Sequence, residues 1–170
     1  IDYIVVNHTE PDHSGALERL LQEAPQAQII CSRTCEHFVK HILNRDVPLR
    51  KVGDGDTLDL GGKTLRFVWA PFLHWPDTMF TYCPEDKILF SADAFGQHYA
   101  APERFADQID QKGLWFEAEK YFANILTLYS QQILKKIDEF LKLGWEIAII
   151  APAHGVCWRQ NPTQIVEKYV

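Results

Sequence analysis

The chain has four cysteines, Cys31, Cys35, Cys83 and Cys157, and no two of them form a CxxC pair. That excludes zinc-ribbon, rubredoxin-like and thioredoxin-like readings and leaves ordinary reduced thiols. There is no run of Lys or Arg, and the formal net charge is −6, so a nucleic-acid surface is excluded. No apolar stretch reaches the roughly 20 residues of a membrane span. No signal-peptide pattern stands at the start, which is Ile1 rather than Met. Internal repeats, low-complexity tracts and linkers are also missing.

What remains suits a single α/β domain. At 170 residues, with 46% hydrophobic and 12% aromatic residues, the chain has enough apolar mass for a substantial core. IDYIVV is a short β-rich run of the kind that forms a buried strand. SGALERLLQEAP follows with helical periodicity, Ser14 standing as N-cap and Leu17, Leu20 and Leu21 sharing a face. QIICS is predicted as a second buried strand and TCEHFVKHIL as a second helix. VGDGDTLDL reads as a turn and strand, GG at 61–62 as a hairpin turn, and KTLRFVWAP as an alternating strand. TMFTYCPEDKILFSADAF predicts two strands around a Pro-Glu-Asp-Lys turn. LWFEAEKYFANILTLYSQQILKKIDEFLKLG is one long helical region or two helices, and WEIAIIAPAHG is a last buried strand.

The chemistry sits where these strands end. NHTEPDHSG crowds His8, Glu10, Asp12 and His13 into six positions directly after IDYIVV. His74 follows RFVWAPFL, Asp93 follows KILFSA, and His154 follows EIAIIAPA. Strand ends are where α/β folds place functional groups, because the sheet fixes the backbone while the loop frees the side chain. Clustered carboxylates repel one another, so a cation is the natural compensation. His8, Glu10, Asp12, His74, Asp93 and His154, with His13 in reserve, offer nitrogen and oxygen donors and no thiolate. Three carboxylates are too many for one divalent ion, whereas two divalent ions leave a charge near plus one. The set therefore suits a dinuclear site with one carboxylate as a bridge. Iron or manganese fits such mixed ligation, and zinc stays open.

HxExDHxG, HWPD, SADAFG and PAHG together resemble the metallo-β-lactamase-like diiron domain of flavodiiron proteins, the A-type flavoprotein or rubredoxin:oxygen oxidoreductase family. The hydrolases of that superfamily carry HxHxDH, and here Glu10 stands where their second His would be. The spacings fit as well: 61 residues between Asp12 and His74, 18 between His74 and Asp93, and 60 between Asp93 and His154. The resemblance continues through DAFGQHYA, KYFANIL and HGVCWRQNPTQIVEKYV. It implies an α/β fold of the αββα sandwich type, N-terminally truncated, with residues 1–170 a partial domain. The first strands and a flavodoxin-like domain carrying FMN would lie outside this chain, and a sheet edge or core face would be left uncovered.

The same resemblance implies that His8, Glu10 and His74 hold one iron, that Asp12 and His154 hold the other, and that Asp93 bridges them. His13 either binds iron or gives way to a solvent molecule. The implied reactions are reduction of dioxygen to water and of nitric oxide to nitrous oxide, with electrons from FMN and a donor such as rubredoxin. A head-to-tail homodimer in the cytoplasm is implied too. Two alternatives stand beside it: a zinc-dependent hydrolase of the same fold, and a diiron oxygen-binding or sensing module.

Several residues have a plain reading next to a functional one. Trp75 either faces the flavin or shapes the pocket mouth, unless it is simply packed. Tyr121 either hydrogen-bonds substrate or is a core tyrosine. His98 tunes the site or is an ordinary loop residue. His37 and His41, four apart on a predicted helix, lack a third ligand and read as a solvated pair. Gly15, Gly96 and Gly155 follow ligand positions and allow the turns that aim them.

Overall fold

The computed structural model describes residues 1–170. Three short parallel strands, β1 (Tyr3–Val6), β2 (Gln28–Ser32) and β3 (Leu49–Val52), form one sheet in the order β1-β2-β3. Their connections are the one-turn helix α1 (Pro11–Ser14), α2 (Leu17–Glu23) and α3 (Cys35–Leu43). The second sheet holds β4 (Thr57–Asp59), β5 (Thr64–Trp69), β6 (Met79–Cys83), β7 (Ile88–Phe90) and β8 (Ile149–Ala151), in that order. It is antiparallel from β4 to β7, and β8 joins β7 in parallel. Between β7 and β8 run α4 (Gln111–Tyr121), a π turn (Phe122–Leu126), a 3₁₀ turn (Thr127–Tyr129) and α5 (Ser130–Leu141). The chain closes with α6 (Thr163–Lys168).

Strand alternation sorts the side chains into three cores. Ile29 and Cys31 face outward and pack with Val6, Leu17, Leu21 and Val39 beneath α2 and α3. Ile30 and Val52 face inward and meet Leu58, Phe67 and Met79 between the sheets. Val68, Phe80, Tyr82 and Leu89 point the other way, against Leu114, Ile133 and Ile137 of α4 and α5. The layers are therefore helix, sheet, sheet, helix, an αββα sandwich. The sheets are tied near the site by Met79 N–H donating to the Asn7 carbonyl at 2.9 Å and by the Thr81 hydroxyl on Asn7 Oδ1 at 2.6 Å. An apolar groove of about 550 Å³ opens between β1 and the β7–β8 side, lined among others by Ile4, Val6, Leu17, Leu20 and Phe90.

Two local expectations change. Ser14 does not cap a helix; it ends α1, and its hydroxyl donates back to the carbonyls of Thr9 at 2.8 Å and Glu10 at 3.1 Å. It thereby tightens the turn that carries the ligand-rich stretch. β3, LRKV, is also a strand that sequence pattern passes over, because Arg50 and Lys51 interrupt its apolar alternation. Parallel pairing with β2 supplies what its composition does not.

Candidate metal centre

Four loops bring seven side chains to one point between the sheet ends. The turn after β1 carries His8 and Glu10, and α1 carries Asp12 and His13. The β5–β6 loop carries His74, the segment after β7 carries Asp93, and the loop after β8 carries His154. Asp93 is at the centre and is 1% exposed. Its Oδ2 lies 2.9 Å from His74 Nε2 and 3.3 Å from His8 Nε2. Its Oδ1 lies 2.9 Å from His13 Nε2 and 3.4 Å from His154 Nε2. Glu10 Oε2 joins the first pair, 3.2 Å from His8 Nε2 and 3.0 Å from His74 Nε2. Asp12 joins the second, with Oδ1 3.4 Å from His13 Nε2 and Oδ2 3.2 Å from His154 Nε2. The cluster thus divides into two trios, His8–Glu10–His74 and Asp12–His13–His154, on the two oxygens of one carboxylate.

Glu10 Oε2 is in hydrogen-bond geometry with His8 Nε2 and His74 Nε2, whereas the contacts of Asp93, Asp12 and His13 are close yet poorly directed for hydrogen bonds. Both Asp93 oxygens and His13 Nε2 are buried without a satisfied partner. Unpaired buried polar atoms are costly in a folded chain. Donor atoms that converge on a carboxylate left without a hydrogen-bond partner fit cations, and the donor set, four imidazole nitrogens and three carboxylates, fits two divalent ions of the first transition row.

The electrostatics agree. Burial opposes charge on His8, but Asp77 and Asp93 overcome it and raise its pKa to about 10. His13 is raised by its contact with Asp93 against the effect of burial. Burial raises Asp93, yet His13, His74 and His8 outweigh it and drive its carboxyl far below the usual carboxylate range. A field that holds Asp93 ionised and draws protons onto imidazoles is one that a metal can occupy in their place.

Exposure is uneven. The His8 side chain is 2% exposed, whereas the Asp12 side chain is 49% and the His154 side chain 26% exposed. The second trio therefore faces the way in. Tyr121, at the end of α4, lies behind it with its ring 5.9 Å from His154 and 4.8 Å from His98. Its hydroxyl is buried and unpartnered. Burial and the nearby Asp93 raise the phenol pKa, so it keeps its proton. His98 is exposed, 5.5 Å from the His154 ring. Trp75 is half-buried and stands edge-on to His8 at 5.3 Å and to His74 at 6.4 Å. His37 and His41 are apart from the site, exposed on α3 with rings 4.3 Å apart.

Two residues that the sequence did not single out hold the loops in place. Gln97, fully buried, clasps Val156 at both ends: its Nε2 donates to the Val156 carbonyl at 3.0 Å and its Oε1 accepts Val156 N–H at 2.6 Å. That fixes the turn through His154 and Gly155. Asp77, also fully buried, accepts Thr9 N–H at 2.9 Å and the Thr9 hydroxyl at 2.5 Å, and faces His8 Nδ1 at 3.4 Å. The only signal for it was its place in HWPD; its partners lie 68 and 69 residues away.

Comparison with known proteins gives the chain's family and fold. The family model described as ODP family beta lactamase matches residues 1–155. An anaerobic nitric oxide reductase flavorubredoxin of Klebsiella pneumoniae is 47% identical over 172 residues, covering 100% of this chain and 36% of its own length. A nitric oxide reductase of Moorella thermoacetica is 45% identical over 170 residues, covering 99% of this chain and 43% of its own length. Among solved structures, rubredoxin oxygen:oxidoreductase from Desulfovibrio gigas superposes with a TM-score of 0.96 at 39% identity, covering all of this chain and 43% of that one. The flavodiiron protein from Giardia intestinalis gives 0.93 at 40% identity, covering 99% of this chain and 41% of that one. The chain therefore spans well under half the length of these relatives. It belongs to the ODP family of beta lactamases, with the metallo-β-lactamase-like fold of flavodiiron proteins.

Proposed function

We propose that residues 1–170 act as the diiron domain of an oxidoreductase that reduces dioxygen to water and nitric oxide to nitrous oxide. The observation that carries this reading is the division of the cluster on Asp93. His8, Glu10 and His74 would hold one iron, Asp12, His13 and His154 the other, and Asp93 would bridge them. Held by these residues, two ferrous ions would supply one electron each to a bound diatomic molecule. Two NO, two electrons and two protons give N2O and water; O2 with four electrons and four protons gives two waters. The relatives' names, nitric oxide reductase and rubredoxin oxygen:oxidoreductase, support both substrates.

The chain's own residues would do the rest. Asp93 is buried and held ionised at the centre by the contacts of His13, His74 and His8. The exposed edge at Asp12 and His154 admits a small molecule, while His8 and Asp93 stay shut from solvent. Tyr121 Oη holds a proton at the wall of the second half, where it can donate a hydrogen bond to bound substrate. Trp75, edge-on to His8 and His74, is the residue that would face an incoming flavin.

FMN from a flavodoxin-like domain outside these residues would deliver the electrons, a rubredoxin-type donor would refill it, and a head-to-tail homodimer would bring flavin and metal together. The four free cysteines suit a reducing, cytoplasmic setting. No helix is long and apolar enough to cross a membrane. Glu10 at the second motif position weighs against a zinc hydrolase.

The test is turnover by the intact, anaerobically reduced protein with its electron donor. Consumption of NO with N2O release, or of O2, is expected. Hydrolysis of a β-lactam or thioester, with neither gas consumed, would overturn the reading.

A further inference from the structure

The two halves of the cluster are supported differently. His8 has its second ring nitrogen, Nδ1, on the buried carboxylate of Asp77 at 3.4 Å. Nδ1 of His13, His74 and His154 meets no acceptor of the chain, although their Nε2 atoms gather on the same carboxylates. Asp77 is itself tightly held. Thr9 donates both its N–H and its hydroxyl to Oδ2, and the Ser32 hydroxyl donates to the Asp77 carbonyl at 2.8 Å. Ser32 Oγ in turn accepts the Cys35 N–H at 3.1 Å. The aspartate is thus anchored to β2, to the start of α3 and to the ligand turn after β1 at once.

We infer that Asp77 is a positioning residue that makes the two metal positions unequal, strengthening the one held by His8, Glu10 and His74. The inference rests on the diiron reading of the site. A carboxylate behind a ligating imidazole sets its tautomer, leaving the proton on Nδ1 and the lone pair on Nε2. It also raises the basicity of that nitrogen. The first position then feels three carboxylates, Glu10, Asp93 and, through His8, Asp77. The second feels two, Asp12 and the shared Asp93. The first metal is therefore bound more tightly, and its ferric state is favoured over that of its neighbour. Burial amplifies the difference, because Asp77 is fully enclosed while Asp12 is half open to water.

The experiment is anaerobic titration of the metal-free intact protein with Co(II), followed by the visible absorption bands of the bound ion. Wild-type protein is expected to take up two metals per chain in two resolvable steps. Asp77→Asn keeps the shape and removes the charge, and should weaken the tighter step about 10–100-fold while leaving the other within about twofold. Thr9→Val keeps the carboxylate and removes one donor that orients it; it should weaken the same step by several-fold. It serves if Asp77→Asn fails to fold by circular dichroism. Equal weakening of both steps, or no change in either, would overturn the inference while leaving two metals in place. Wild-type protein with one metal per chain would overturn the diiron reading and this inference with it.

Discussion

Gly155 offers a sharp test of how the His154 loop is built. Its φ is +80°, and an added Cβ would fall 1.5 Å from Gln97 Oε1 and 2.5 Å from the Gln97 backbone oxygen. Gly155→Ala therefore carries two costs. The left-handed conformation costs a residue with a Cβ about 1–2 kcal/mol. Gln97 must also leave, and its two buried hydrogen bonds to Val156 are worth about 1–3 kcal/mol each once their partners are stranded. The sum is about 3–8 kcal/mol, a large part of the roughly 5–15 kcal/mol that holds a domain together. Gly144 is the control. Its φ is +63° with nothing within 4 Å of the added Cβ, so Gly144→Ala meets the backbone term alone. At about 2–4 °C per kcal/mol for a chain of this size, differential scanning calorimetry should show a drop of about 6–30 °C for Gly155→Ala and about 2–8 °C for Gly144→Ala. The first variant should also lose metal from the His154 half. If the two variants melted together and kept the same metal content, the clasp between Gln97 and Val156 would not be what places His154.

Further substitutions separate the roles of the cluster. Asp93→Ala removes the atom pair shared by both trios and should abolish binding of both irons, read by elemental analysis. Glu10→His exchanges an oxygen donor for a nitrogen one and should lower iron occupancy in favour of zinc in protein made with both metals. Tyr121→Phe deletes a buried hydroxyl that has no partner, so melting should be unchanged or higher, while NO and O2 turnover falls; unchanged turnover would assign Tyr121 to the core alone. Ile133→Ala, in the fully buried helix–sheet layer, should cost about 2–5 kcal/mol in denaturant unfolding without altering the metal ratio of the folded fraction.

The sequence exposed the metal centre because its parts obey local rules. His8, His74, Asp93 and His154 each follow an apolar run, and the structure brings all four together with Glu10 and Asp12. His13, left between ligand and solvent-replaced residue, sits 2.9 Å from Asp93, as near as His74. The supports were not legible. Asp77 and Gln97 drew no reading of their own; their side-chain roles arise from partners as far as 59 and 69 residues distant in the chain. Ser14 looked like a helix cap because its residue type suits one, but the Pro11 turn claimed it first. The π turn after Tyr121 also left no trace, since FANIL has the apolar spacing of continuous helix.

The most direct test of the dinuclear centre is elemental analysis with Mössbauer spectroscopy on protein grown on ⁵⁷Fe and purified without air. Two irons per chain, giving two quadrupole doublets of equal area with distinct parameters after oxidation, are expected from two trios on one bridging carboxylate. A single iron per chain, or two zincs in protein made with ample iron, would contradict it.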